Sequence, residues 1–537
     1  MTIETITLLF SRHGANLSLQ LLFLAGAAMM MLKKGLPEKT YSFLLYLVSF
    51  GYLLLFYGRS LRSFSMAGDN ICQIAYWKIL FHPNLTGSIG AAYTKPGQLL
   101  ILGPLFELSR VFGDSAFRIG ICLVMAACIW ILARIAADIG GREAGIAALP
   151  VSFLAFQSEF LAGSYSIFLV PALFIGLRLY YQSPRLRTVG RIMLALSIQF
   201  HIQALPVLAV IWLEQLRERK WRELGWFTVA TAGSLAFWLL VILRVQGSLE
   251  RISSSGPAVG YIGSVGDSFV YSSTAEYLVK AVWSELSGSY TYAGLFTLIL
   301  IGIIGVWHGE RRYYLAIFSI PLLLAANVLF FNGTLNINRY FAVFYGFGCS
   351  AGIGSLACFV RHRSGKLSPV LESRLVSGAT LMLVIASATT ISSLQFRKPS
   401  SPPYVISAKR LLADPLLPAK ARLMTEDDLL YPVVALAPSR YPALTALQQF
   451  NTAGDARRKA ILGNIDYIWI DLTGEHQYYY LNYLPVPAWR SDPFRLMVNR
   501  IVTSHSPGSL YGFLFEPVQM NRERLLLLVR PEAAGPQ

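Results

Sequence analysis

Apolar runs close to bilayer-crossing length recur along this chain, and nothing else in it constrains the fold so tightly. A helix needs about 20 apolar residues to cross the hydrocarbon core. Runs at 15–32, 41–57, 115–136, 144–161, 166–181, 225–243, 293–307, 313–331, 340–360 and 375–395 meet or approach that length. Inside a bilayer no water is present to bond the backbone, so such runs must be helical. About ten spans follow. Asp, Glu, Lys and Arg make up 14% of the chain, against roughly 25% in soluble domains. That shortfall excludes a soluble globular chain and predicts an α-helical polytopic membrane protein.

Two further runs, 192–200 and 204–213, are each too short to cross. Together they predict a broken hairpin that dips in and returns, which lipid tolerates only where protein or water shields the backbone. Basic residues sort the loops. Lys33, Lys34, Lys39, Arg185, Arg187, Arg191, Arg217, Arg219, Lys220, Arg222, Arg311, Arg312, Arg361, Arg363, Lys366 and Arg374 fall on one side of this scheme. That side is expected to be cytoplasmic. The loops 58–114, 244–292 and 332–339 and the tail after 396 then face outward. The net charge of +17 is explained largely by these loops, so no nucleic-acid partner is implied. Membrane lipids are the expected surroundings. Residues 97–112 contain Pro104, Glu107 and Arg110. If they spanned, the arginine-rich 185–191 loop would move outside, so they are read as an interfacial helix on the outer face.

The first apolar run lacks a basic stretch before it and a small-residue cleavage site after it, so it is not read as a cleavable signal. The five cysteines show no disulfide or zinc spacing. From 396 onward the composition turns to ordinary polarity, punctuated by Pro399, Pro402, Pro403, Pro415 and Pro418. Strand-like runs at Tyr467–Leu472 and Leu525–Val529 alternate with helical stretches such as 443–461. The expected organisation is therefore a transmembrane domain over 1–395 and a small outer-facing α/β domain over 396–537.

Chemistry-bearing residues gather in the first outer loop: Arg59, Arg62, Asp69, Asn70, Tyr76, Lys78, His82, Tyr93, Lys95 and Glu107. Arg, Lys and Tyr commonly anchor a helix at the membrane surface, and that reading competes for each basic residue singly. Asp69 is harder to set aside, because a carboxylate beside a span needs a partner or a job. It can take a proton as general base, while Arg59, Arg62, Lys95 and Arg339 can stabilise a leaving phosphate. The structural alternative for Asp69 is an ion pair with Arg59 or Arg62. Glu159 and Tyr165 lie at the outer end of two spans. His201, between Gln199 and Gln203, sits at the tip of the broken hairpin, where a lone histidine is more often structural than functional. Asn336 and Asn338 flank Arg339. No P-loop, dinucleotide fingerprint, HExxH or nucleophile elbow occurs.

The order of these elements resembles the GT-C superfamily of membrane glycosyltransferases, which includes protein O-mannosyltransferases and the lipid A aminoarabinose transferase. The resemblance rests on Asp69 early in the first outer loop and on Tyr93-Thr-Lys95-Pro96-Gly97. An amphipathic stretch follows, ending in Phe112-Gly113-Asp-Ser-Ala-Phe-Arg118, and Arg339-Tyr340 opens a later span. It implies a catalytic role for Asp69. It further implies substrate contacts from Arg59, Arg62, Asn70, Tyr93, Lys95, Glu159, Tyr165, His201, Arg339 and Tyr340. The chain departs from the family pattern in having two spans before the loop, Asn70 in place of a second acid, and Gly97 in place of a second proline. No metal or cofactor is expected. The implied activity is transfer of a sugar from a polyprenyl phosphate carrier to a lipid, glycan or protein acceptor on the outer face of the bacterial inner membrane, by an inverting route. The alternatives are an O-antigen or exopolysaccharide polymerase, which also takes polyprenyl-linked sugars, and a lipid-linked saccharide flippase or transporter. The last predicts paired repeats and mid-membrane charges.

Overall fold

A computed structural model of the protein describes residues 18–33, 35–57, 68–88, 94–155, 166–182, 184–247, 337–364, 403–451, 453–472, 492–521 and 524–532. The helices begin with α1 (Ser18–Met31), α2 (Glu38–Tyr52), α3 (Gly68–Phe81), α4 (Pro96–Phe112), α5 (Asp114–Gly140) and α6 (Arg142–Ala155). They continue with α7 (Ser166–Gln182), α8 (Pro184–Ser197), α9 (Leu205–Arg217), α10 (Trp221–Gln246) and α11 (Ile337–Ser364). The C-terminal region adds α12 (Pro403–Ala413), α13 (Asp427–Leu436), α14 (Leu447–Asn451), α15 (Asp455–Leu462) and α16 (Pro493–Ser504). The fold is that of a mostly helical polytopic membrane protein with a small C-terminal sheet.

The described residues form two compact units. One draws on the described residues within 1–65, 95–237 and 271–399, the other on those within 66–94, 238–270 and 400–537. In the helical unit, apolar side chains such as Leu22, Phe43, Leu55, Leu123, Trp226 and Val229 remain exposed, as a lipid-facing surface requires. Among the described residues, three helices are long and apolar enough to cross a membrane: Glu38–Phe56, Asp114–Gly140 and Trp221–Val245. The apolar helices Ser18–Met31 and Ile167–Tyr181 are shorter. The expected spans 293–307, 313–331 and 375–395 lie outside the described residues, as does the end of 144–161. The residues expected to form a broken hairpin are α8, a turn with a 3-10 step at Ile202–Ala204, and α9, and α8 packs against α7.

Glycines set the closest helix approaches. A Cβ on Gly190 of α8 would stand 2.4 Å from Tyr180 N of α7, and one on Gly140 of α5 would stand 2.3 Å from Gly354 O of α11. Without a strong hydrophobic drive in lipid, such small-residue contacts carry helix packing. Charge adds a second lock. Asp138 of α5 accepts from Arg134 one turn back at 3.0 Å and from Arg178 of α7 at 2.9 Å. Arg134, only 3% exposed, also reaches Glu38 at the start of α2. Trp130 Nε1 donates to Ser42 O at 2.9 Å, fixing α5 against α2.

The second unit is built on a six-stranded sheet of order β2-β1-β3-β6-β5-β4. Its strands are β1 (Arg422–Thr425), β2 (Ala443–Ala446), β3 (Tyr467–Asp471), β4 (Gly508–Leu510), β5 (Phe513–Met520) and β6 (Arg524–Pro531). β1 pairs in parallel with β2 and β3, and the remaining pairings are antiparallel. The expected strands at 467–472 and 525–529 are β3 and the middle of β6. The expected helical stretch 443–461 is instead β2 followed by α14 and α15. The parallel edge that β1 offers overrides the local helical preference of Ala-Leu-Thr-Ala, because strand preference follows packing context.

Side chains alternate across a strand. Met424, Ile468, Ile470, Leu525 and Leu527 share one face, covered by Leu447, Phe450, Leu462, Phe494 and Ile501 from α14, α15 and α16. Leu423, Trp469, Asp471 and Arg524 therefore belong to the other face. The chain goes from β1 outward to β2, then back past β1 to β3. Right-handed crossovers place α13 on that other face, opposite α14 and α15. α12 packs on α13, and α3 packs on α13 through Tyr76 and Tyr431, edge to face at 6.0 Å. The helix bearing Asp69 is thus part of the α/β unit.

Candidate active site

Gly68 and Asp69 open α3, which places the Asp69 backbone in a first helical turn. Asn70, on the same turn, is fully buried. Arg59, Arg62, Tyr93, Glu159 and Tyr165 lie outside the described residues, as does the side chain of Asp69. Arg339 and Tyr340 occupy the first turn of α11, their side chains likewise outside the described set.

The helical unit brings two predicted features together. Lys95 has an extended backbone (φ −130°, ψ 91°) and caps α4, with Pro96 in the first helical position. Proline is suited there because its missing N–H would have no helical acceptor. Gly97 N–H donates to Gln199 O at 2.9 Å, tying the start of α4 to the turn between α8 and α9. Phe200 lies directly over Gly97 and stacks on Phe168, with ring centroids 6.4 Å apart. Gln199 Nε2 donates to Ser234 Oγ of α10 at 2.6 Å. Lys95, Gln98, Gln199 and Gln203 are all buried. A helix N-terminus, where the backbone N–H dipoles add positive potential, suits an anion, and the buried Lys95 stands at this one.

His201 is partly buried, and its Nδ1 accepts from Gln203 N–H at 3.2 Å. In the neutral ring the proton then sits on Nε2. This bond lies within the turn between α8 and α9. Gln98 and Ser234 were not singled out from the sequence, although a glutamine three residues after Lys95 in a helix start was a readable signal. Arg134, Asp138 and the partly buried Arg178 form a further charged cluster. Their signal was a charged i,i+4 pair inside an apolar run. Among the described residues, no group of three His, Cys, Asp or Glu is placed to hold a metal.

Helical bundle and C-terminal α/β unit together define a polytopic membrane protein with a small C-terminal sheet, and its fold is similar to that of a solved membrane transferase. The structure of ArnT from Cupriavidus metallidurans bound to undecaprenyl phosphate is similar at a TM-score of 0.51 and 13% identity, over 93% of this chain and 100% of that one. The apo form of the same ArnT gives 0.47 and 13% over 91% and 99%. An Archaeoglobus fulgidus oligosaccharyltransferase, solved with Zn and sulfate, gives 0.45 and 14% over 82% and 69%. No family model and no curated protein matches the sequence.

Proposed function

We propose that this protein is a glycosyltransferase that moves a sugar from a polyprenyl phosphate carrier to an acceptor on the outer face of the bacterial inner membrane. The observation that carries the reading is the fold, shared over 93% of the chain with a protein solved with undecaprenyl phosphate. In this reading Asp69 takes the proton from the acceptor hydroxyl or amine. The acceptor atom forms a bond to the anomeric carbon from the face opposite the phosphate. The bond from that carbon to the phosphate oxygen breaks, and its electron pair leaves with the polyprenyl phosphate. Lys95 and Arg339 hold that phosphate, as charge-assisted contacts do best. Support for Lys95 is its buried place at the start of α4; for Arg339 it is the first turn of α11. The remaining loop residues contact donor or acceptor.

Asp69→Asn keeps shape and hydrogen bonding but cannot act as base at neutral pH. Transfer from a polyprenyl-phosphate sugar in membrane fractions should fall by at least about 100-fold, with expression and donor binding retained. Transfer near the wild-type rate would end the reading.

A further inference from the structure

We propose that the C-terminal α/β unit carries its own monosaccharide-binding pocket, at the carboxyl end of β3 beside β6. In sheets with parallel strands, ligands bind where the strand order reverses, outside the carboxyl ends of the strands. Here β1 leads outward to β2 and the chain returns to β3 on the other side of β1, so the reversal falls between β1 and β3. A cavity of about 480 Å³ elsewhere, in the helical unit, is an open surface groove. At the carboxyl end of β3, one of the two strands that flank this reversal, a more enclosed cavity of about 220 Å³ is lined by Arg410, Trp469, Asp471, Asn521 and Arg524.

The sheet places these groups together. Trp469 and Asp471 are two residues apart on β3 and share a face. Arg524 pairs with Asp471 in register on β6. Arg410 comes from α12. The Asn521 side chain closes the turn before β6 by accepting from Arg524 N–H at 2.9 Å. Trp469 is 1% exposed, yet among the described residues its Nε1–H donates to no group, and the buried Arg524 Nε is likewise without an acceptor there. A buried indole N–H normally finds a partner, so a donor left over in the wall of a cavity points to a ligand atom.

The charge balance selects the ligand. Arg524 pairs with Asp414 at 3.1 Å, and Arg410 and Asp471 add one positive and one negative charge to the lining. Such a wall has no net attraction for an anion or a cation. It alternates donors (indole, guanidinium) with acceptors (carboxylate, amide carbonyl), the pattern that hydroxyl groups satisfy because each donates and accepts. The volume lies below the range of about 300–1,000 Å³ for drug-sized ligands. A single pyranose ring, free or at the end of a glycan, is the ligand class that fits. The inference stands on this cavity and is independent of the role given to Asp69.

The test is saturation-transfer NMR on the full chain in detergent, with glucose, galactose, mannose and N-acetylglucosamine as probes and inorganic phosphate as competitor. Trp469→Phe keeps an aromatic ring and removes the N–H. Arg410→Gln alters an exposed helix position and preserves the core. Loss of one paired hydrogen bond predicts about tenfold weaker binding of the preferred sugar in each variant. Asp69→Asn should bind it as wild type does, which separates this pocket from a sugar held at the transfer site. Wild-type affinity in Arg410→Gln would overturn the proposal even if Trp469→Phe failed to fold. Displacement of the signal by phosphate would overturn it in favour of an anion site.

Discussion

Gly97 follows Pro96 at the start of α4, and the structure says what a second proline there would do. Gly97 N–H is bonded to Gln199 O at 2.9 Å. A Cβ at this position would meet the Phe200 ring at 2.8 Å. Gly97→Pro removes the donor and leaves the carbonyl of buried Gln199 without it, costing about 1–3 kcal/mol. The added ring overpacks Phe200, which is held from behind by Phe168, for a further cost of about 1–3 kcal/mol. The expected destabilisation is therefore about 2–6 kcal/mol. Gly97→Ala keeps the N–H and suffers only the overpacking term. Phe200→Leu opens space, so it should recover most of the loss in Gly97→Ala and only part of it in Gly97→Pro. Thermal unfolding of the detergent-purified variants, followed by tryptophan fluorescence, reads all three comparisons. Gly97→Pro as stable as wild type would refute the reasoning. So would full recovery of Gly97→Pro by Phe200→Leu, because the backbone bond would then contribute nothing.

Asp138→Asn should destabilise the helical unit by about 3–5 kcal/mol, because Arg134 and Arg178 lose a shared buried carboxylate; unchanged thermal unfolding would show that the network is dispensable. In the α/β unit, Arg422 donates to Asp466 from its backbone N at 2.8 Å and its Nη2 at 2.6 Å, and the side-chain hydrogen bond holds the Asp466 carboxyl below its ordinary value. A depressed carboxylate contributes stability above the unfolded value of about 3.9 and loses it as pH falls through the folded value. The melting-temperature advantage of wild type over Asp466→Asn should thus be full at neutral pH and shrink as pH falls below about 4; an advantage independent of pH would contradict the assignment.

The sequence by itself determined that the chain is a helical membrane protein, because only helices satisfy the backbone within lipid and the apolar runs are long enough to require them. It located α2, α5, α7, α10 and α11 closely. It also marked β3 and β6, whose apolar runs between turn residues are strand-like in any context. Tertiary structure alone decided the rest. The segment 443–446 became a strand because β1 presented a parallel edge, a partner its four residues could not announce. The helix bearing Asp69 joined the α/β unit because Tyr76 found Tyr431, more than 300 positions away. The same holds for the cavity lined by Arg410, Trp469 and Arg524, since no residue in it has a neighbour there closer in sequence than the two flanking positions of one strand or turn. Local pattern fixes which face of an element is apolar. Which partner covers that face depends on contacts between distant segments, and those exist only once the chain has folded.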